Sequence, residues 1–295
     1  MSSFIKDLLE LPFLQNAVLA GILCSIASGI VGTYVVLKRI TYIAAAISHC
    51  ILGGLGAARY FSVVYQLEWL RPIHGAIITA IFSALLIGYI SLRAREREDT
   101  VISALWAVGM AVGVLFIFKT PGYNEDLMSY LFGNILMVSR EDLYLIAVLD
   151  VLVLFLTIAF YNQTVAVCFD EEFARTRGVK VEFYYLLLLC MTALTVVLTV
   201  SVVGIIMVIA LLSLPVAISS RFFDRVWKIM LSSVSLGIIF TLSGLVFSYG
   251  PDLPSGAVTI IIAGSAYFIS LLVSSFWRPA ITSEKNIEKV EVRNG

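Results

Sequence analysis

Charge is scarce in this sequence. Charged residues make up 14% of its 295 positions, against about 25% in a typical soluble domain. The 20 Lys and Arg residues are balanced by 20 Asp and Glu residues, so the formal net charge is zero. A chain without net charge has no general attraction to nucleic acid, and we therefore expect no nucleic-acid partner.

The common motifs of soluble metalloproteins and enzymes are also missing. The four cysteines show no CxxC pair and no ribbon-type spacing with the two histidines, so we expect them to be reduced and structural. There is no Walker-type GxxxxGK[ST] loop, no HExxH and no GxSxG. We therefore expect no enzyme, no ATPase site and no covalently bound cofactor. The start, MSSFIKDLLE, does not resemble a cleaved signal peptide.

Apolar residues, in contrast, are abundant. They make up 60% of the chain, more than a soluble core of this size can bury, which indicates a membrane protein. A membrane span needs about 20 mostly apolar residues. Nine stretches qualify: 13–37, 43–65, 72–92, 100–118, 143–161, 184–200, 203–219, 227–249 and 256–275.

Two apolar stretches have unusual lengths. Residues 184–219 are too long for one span, and we expect a break near Ser201 that leaves two short halves. Residues 127–138 are too short to cross, which favours a re-entrant or interfacial helix covered by protein. The sequence thus predicts an all-α, polytopic membrane protein with about eight or nine transmembrane helices.

Positive charge predicts the orientation. In the nine-span arrangement, 15 of the 20 Lys and Arg residues fall on one side, which the positive-inside rule makes cytoplasmic. The N-terminus then lies outside and the C-terminus inside. We expect one transmembrane domain, 1–278, followed by a polar cytoplasmic tail, 279–295, without a second soluble domain.

One cytoplasmic segment, 170–180 (DEEFARTRGVK), is dense in charge. Asp170 can cap a short helix with acids in its first turn, and Gly178 can end it in a left-handed conformation. Spacing alone leaves two alternatives open, which are an ordinary polar loop and a short helix that docks into a partner's groove.

Several segments together carry a family resemblance. Asp170, Glu172, Ala174 and Gly178 precede a long apolar hairpin that ends in ALLSLPVAIS (210–219). This pattern resembles the permease subunits of bacterial ATP-binding-cassette importers for manganese, zinc and iron. Residues 13–49, 126–143 and 244–261 also resemble segments of that family, in the same order.

The resemblance implies a homodimeric pore in the bacterial inner membrane. A cytosolic ATPase would drive it, with ATP bound only on that partner, and an extracytoplasmic binding protein would deliver the divalent metal ion. Segment 170–180 would be the coupling helix that contacts the ATPase through Asp170, Glu172, Ala174 and Gly178. The second permease copy could also be a close paralogue.

The same resemblance points to His49. The family's second span carries Asp-Ala-Ile-Ser-His, whose aspartate and histidine are implicated in handling the metal. His49 keeps the histidine position, but Ala45 stands where the aspartate is expected. Residues i and i+4 share one helix face, so a carboxylate and an imidazole could meet one ion there. The alternative is a neutral structural histidine bonded to a carbonyl, and we expect neighbouring Cys50 to serve packing.

Asp150 is the candidate substitute acid because it lies near the middle of span 143–161, where ionisable groups usually face the interior or a water-filled path. It could instead be protonated, be bonded to a neighbouring helix, or belong to a misplaced span. A weakly coordinating pore would need no such acid, since the binding protein has already selected the ion.

Other features stay ambiguous at this level. His74 reads as an interfacial residue at a span edge. Glycines 53, 54 and 56 permit close helix contact, but they could also line a narrow pore. Residues 93–99 read as a solvated loop. Six outer-loop acids could meet a binding protein or be ordinary loop tips: Glu68, Glu125, Asp126, Glu141, Asp142 and Asp252.

A stand-alone secondary transporter or channel is the alternative function. Such carriers often show internal repeats and ionisable residues at mid-membrane. The two halves of this sequence show no convincing repeat, and few charges lie within the predicted spans. Co-purification with an ATPase would distinguish the two functions.

Overall fold

The computed structural model describes residues 6–277 apart from 9, 68, 94–97, 123–132, 134 and 252. In these residues nine helices are long and apolar enough to cross a bilayer, which confirms the predicted all-α membrane fold. They are α1 (Pro12–Leu37), α2 (Thr41–Val64), α3 (Pro72–Arg93), α4 (Glu98–Lys119), α5 (Arg140–Ala159), α8 (Val181–Val203), α9 (Ile205–Phe222), α10 (Val226–Tyr249) and α11 (Ser255–Trp277).

The remaining regular structure is short. Two small helices, α6 (Tyr161–Phe169) and α7 (Glu171–Thr176), lie between α5 and α8, and a 3₁₀ turn forms at Ile135–Met137. The sequence did not predict α6 as a separate helix, because its polar residues match neither a span nor a clear amphipathic pattern. This helix sets the position of α7.

The boundary between α8 and α9 confirms the expected break and corrects the expected helix lengths. The break falls at Gly204, a few residues after Ser201. Gly204 has φ 81° and ψ 165°, a conformation that is essentially confined to glycine. The two helices are therefore 23 and 18 residues long, and α8 is not a short half.

The helices pack around a central pair, α1 and α8. Helix α1 contacts α5, α8, α9 and α10, and α8 contacts α1 and α3. On one flank α2 packs tightly against both α3 and α4, while α9, α10 and α11 form the other flank. Helix α4 depends almost entirely on α2 for its contacts, so the α2–α4 interface alone holds it in place.

Some predicted segments fall partly or wholly outside the described residues. Of the expected re-entrant stretch 127–138, Gly133 and residues 135–138 are described, and they form the 3₁₀ turn with its flanks. Most of 93–99, the tail 279–295, and four of the six outer-loop acids lie outside the described residues. The other two acids, Glu141 and Asp142, lie in the first turn of α5.

Candidate functional site

His49 lies on α2 and stacks on Trp106 of α4. The ring centroids are 4.3 Å apart and the rings are inclined by 13°. The Nδ1 atom is buried and has no hydrogen-bond partner among the described residues. The alternative of a structural histidine whose Nδ1 atom is hydrogen-bonded to a carbonyl therefore does not describe His49. An unpartnered ring nitrogen retains the capacity to bind a metal ion or a proton.

Glycines explain how these two rings meet. A Cβ atom built on Gly109 would lie 2.7 Å from the Cα atom of Cys50, and one on Gly113 would lie 2.6 Å from the carbonyl carbon of Leu52. The backbones of α2 and α4 are thus in contact at the level of His49. Small residues allow this approach between membrane helices.

The neighbouring glycines of α2 serve the same purpose. A Cβ atom on Gly54 would lie 2.2 Å from the carbonyl oxygen of Gly75 in α3, and one on Gly56 would lie 2.7 Å from that of Gly113. These glycines face adjacent helices. Of the two alternatives for this patch, the structure supports close helix contact and not a pore lining.

Two further residues complete the surroundings of the stack. Tyr42, two turns before His49, has its ring centroid 6.2 Å from that of Trp106, and its hydroxyl hydrogen-bonds with the hydroxyl of Ser103. The Cys50 thiol is buried and donates to the carbonyl of Leu105 at 3.2 Å. Cys50 therefore packs α2 against α4, as its predicted role requires.

Ala45 lies one turn before His49 and is 7% exposed. Its carbonyl oxygen accepts a hydrogen bond from the Ser48 hydroxyl at 2.7 Å. The position thus offers no side-chain ligand to an ion near His49. The carboxylate that the resemblance would place here is replaced by a methyl group in a packed environment.

Asp150 is buried in the middle of α5, so the predicted span boundary is not misplaced. It is 3% exposed, and neither carboxyl oxygen has a hydrogen-bond partner in the described part of the chain. It lies within electrostatic range of Cys24 on α1. The structure does not bring it to His49, which faces α4. An unpaired acid at this depth is costly, so Asp150 is a candidate functional residue.

The described residues contain no group of three His, Cys, Asp or Glu side chains that could hold one metal ion. His74, the second histidine, accepts a hydrogen bond at Nδ1 from the backbone N–H of Arg71 at 3.2 Å. It therefore stabilises the start of α3, in agreement with an interfacial role.

The segment 170–180 forms the short capped helix that the sequence predicted. The Asp170 carboxylate accepts from the backbone N–H of Phe173 at 2.9 Å, and Gly178 has φ 77°. Ala174 is fully buried, whereas Glu172 is exposed. The geometry supports α7 as a docking element, and its contact with an ATPase stays a prediction.

Sequence reasoning missed two residues of these sites. Phe173 is 53% exposed at the tip of α7, with the guanidinium of Arg177 5.2 Å from its ring centroid. An apolar residue within DEEFARTRGVK was the signal for it. Trp106 had no such signal, because its role depends on the packing of two helices that are distant in sequence.

Comparisons with known proteins agree with this architecture. A model of the ABC 3 transport family matches residues 10–274. A Chlamydia pneumoniae protein named "Probable metal transport system membrane protein" is 41% identical over 283 residues, 96% of each chain. The manganese transport system membrane protein MntC of Halalkalibacterium halodurans is 31% identical over 274 residues, covering 93% of this chain and 91% of MntC. The solved structure "PsaBC from Streptococcus pneumoniae in complex with Fab" superposes with a TM-score of 0.81 at 29% identity, covering 91% of this chain and 94% of the other.

Proposed function

The chain belongs to the ABC 3 transport family, and we propose that it is the membrane permease subunit of an ATP-driven importer for divalent transition-metal ions. The names of the Chlamydia and Halalkalibacterium relatives refer to metal and manganese transport. Among manganese, zinc and iron, they favour manganese as the cargo. The metal is a transported substrate and not a resident cofactor.

The observation that carries the proposal is helix α7. It exposes Glu172 and Phe173, while the buried Ala174 anchors it to the bundle. A large apolar side chain on a charged, exposed helix is suited to a groove on a partner protein. The partner is a cytosolic ATPase, which binds and hydrolyses the ATP.

The distribution of positive charge supports the orientation. The end of the bundle that carries α7 also holds Lys38, Arg39, Arg225 and Lys228. This end faces the cytoplasm by the positive-inside rule, and the C-terminus lies on the same side. The protein is thus a multi-pass protein of the bacterial inner membrane that receives its ion from an extracytoplasmic binding protein.

The proposed ion path passes His49. A single imidazole is an incomplete site, because a zinc-type site takes about four ligands. A second permease copy, related by a two-fold axis, would contribute its own His49. Asp150 supplies negative charge elsewhere on the path, in place of the acid absent at position 45. Because the binding protein has already selected the ion, a weak site suffices.

Uptake measurements test the ion path. Cells without their own importers would express the chain with its ATPase and binding protein, and uptake of manganese, zinc and iron would be compared between wild type and His49→Ala. We expect wild type to take up one of these metals, and His49→Ala to lose that uptake at unchanged protein level. Equal uptake by the variant would assign His49 a structural role.

Co-purification tests the partner. We expect Phe173→Ala to reduce the amount of ATPase that purifies with the permease. Phe183→Ala is the matched control, because Phe183 is equally exposed at 53% and lies in the first turn of α8, outside α7. Transport by wild type without any ATPase would instead favour a stand-alone transporter.

A further inference from the structure

Lys38 connects the end of α1 to the segment that carries α7. It is the C-cap residue of α1, and its side chain is 16% exposed. The ammonium donates a hydrogen bond to the carbonyl oxygen of Val167 at 3.1 Å and forms an ion pair with Glu171. One side chain thus holds both the end of α6 and the first residue of α7.

The carbonyl that Lys38 binds belongs to the last turn of α6. Carbonyls in a final helical turn lack intrahelical partners and carry the negative end of the helix dipole. Val167 is buried, and the thiol of Cys168 lies 3.9 Å from the carbonyl oxygen of Tyr34 in α1. The end of α6 is therefore packed against α1, with Lys38 as its cationic partner.

Helix α1 is in turn rigidly connected to the opposite flank. A Cβ atom on Gly29 would lie 2.6 Å from the backbone nitrogen of Val234 in α10, and one on Gly32 would lie 2.4 Å from the carbonyl oxygen of Leu212 in α9. Backbones in direct contact transmit a displacement without slack, because packed interiors have low compressibility. A force on α7 that reaches Lys38 therefore reaches α9 and α10.

A second ion pair holds α7 in a different way. Arg175, in its last turn, pairs with Glu182 in the first turn of α8 at 2.7 Å. Both side chains are more than half exposed, and such pairs contribute little. In the first pair the Lys38 side chain is mostly shielded while Glu171 is partly exposed, and the contact involves α1, the central helix. The Arg175 pair is solvated on both sides and involves α8.

From these contacts we propose that Lys38 is a positioning residue that couples α7 to α1, so that its loss separates ATP hydrolysis by the partner from ion movement. The inference rests on the proposed function, since it requires that α7 receives the motion of an ATPase. The contacts of Lys38 are with the Val167 carbonyl and Glu171, and they leave Phe173 exposed on α7. We therefore expect ATPase binding to survive the loss of Lys38.

The test is the number of metal ions transported per ATP hydrolysed, measured in proteoliposomes that hold the permease, its ATPase and the binding protein. We expect Lys38→Met to lower this ratio at least fivefold with ATPase co-purification unchanged, and Lys38→Arg to keep it near wild type. Glu182→Gln is the matched control, because it breaks the ion pair with Arg175 from α8 and alters no side chain of α7, and it should leave the ratio unchanged. A merely structural loss would lower both activities together and keep their ratio.

Glu171→Gln provides an independent test, because it removes the ion pair from the more exposed side. It should also lower the ratio, and the double variant with Lys38→Met should be no worse than Lys38→Met alone. A wild-type ratio in both single variants would overturn the inference and leave the importer intact. Wild-type vesicles that show no ATP-dependent uptake would instead overturn the proposed function and this inference with it.

Discussion

Replacing Gly113 by alanine tests whether backbone contact between α2 and α4 positions His49. The new methyl group would lie 2.6 Å from the carbonyl carbon of Leu52 and 2.9 Å from the nitrogen of Gly53, whereas ordinary contacts of this kind are 3.4–4 Å. Only backbone atoms are in the way, so the two helices must separate by roughly 1 Å. Overpacking of this kind costs about 1–3 kcal/mol.

The intrinsic preference of helices for alanine opposes this cost by about 0.5–1 kcal/mol. We therefore expect Gly113→Ala to destabilise the protein by up to about 2.5 kcal/mol, as the difference between the overpacking cost and that preference. Separation of α2 from α4 also widens the stack of His49 on Trp106, so uptake should fall several-fold.

Gly264 in α11 is the matched control, because a Cβ atom there would meet nothing within 4 Å. Gly264→Ala should keep full uptake and raise thermal stability slightly, since only the helix preference acts. Both variants would be followed by thermal unfolding in detergent and by metal uptake. Equal stability of Gly113→Ala and Gly264→Ala would refute the argument that the backbones of α2 and α4 are in contact.

Three further predictions concern the ion path. Trp106→Leu removes a stack that contributes about 0.5–1.5 kcal/mol and should lower uptake roughly two- to tenfold, whereas Trp106→Phe should lower it less. Equal uptake by wild type and both variants would contradict the positioning role of Trp106. Asp150→Leu removes an unpartnered buried carboxyl group, so thermal stability should rise by about 1 kcal/mol while uptake is lost; unchanged uptake would take Asp150 off the path. Ala45→Asp adds a carboxylate one turn from His49. It should lower the KM for manganese at least about tenfold, since a charge-assisted contact contributes roughly 1.5–3 kcal/mol. An unchanged KM in uptake assays would show that position 45 does not face the ion.

The spans were predictable because each depends on a local property. A run of about 20 apolar residues is stable in lipid and not in water. In lipid the run forms a helix, because a helix satisfies every backbone hydrogen bond within the segment. The capped helix α7 was predictable for a similar reason, because its signals lie within one short segment. Asp170 accepts a hydrogen bond from a backbone N–H of the first turn, and Gly178 ends the helix with a positive φ. The break between α8 and α9 was predictable from the length of the apolar stretch, and Gly204 fixes its position because its backbone conformation suits glycine.

The site could be predicted only in part because its geometry is not local. The sequence singled out His49 and the missing acid at position 45, but nothing near His49 points to Trp106, which lies on a different helix. Their contact depends on close backbone approaches between α2 and α4, such as those of Gly109 to Cys50 and of Gly113 to Leu52, each of which needs glycine on at least one side.

Helix packing, which is also not local in sequence, keeps Asp150 apart from His49. Both are intramembrane ionisable residues, and sequence alone allowed them to meet. Helix α8 contacts both α2 and α5, but His49 faces α4, whereas Asp150 lies on α5, which packs against α1. The two side chains therefore lie at different interfaces. If both act on one ion, they act in succession along the path and not as ligands of a single site. Their substitutions should then affect uptake independently, so the double variant His49→Gln with Asp150→Asn should multiply the two single losses.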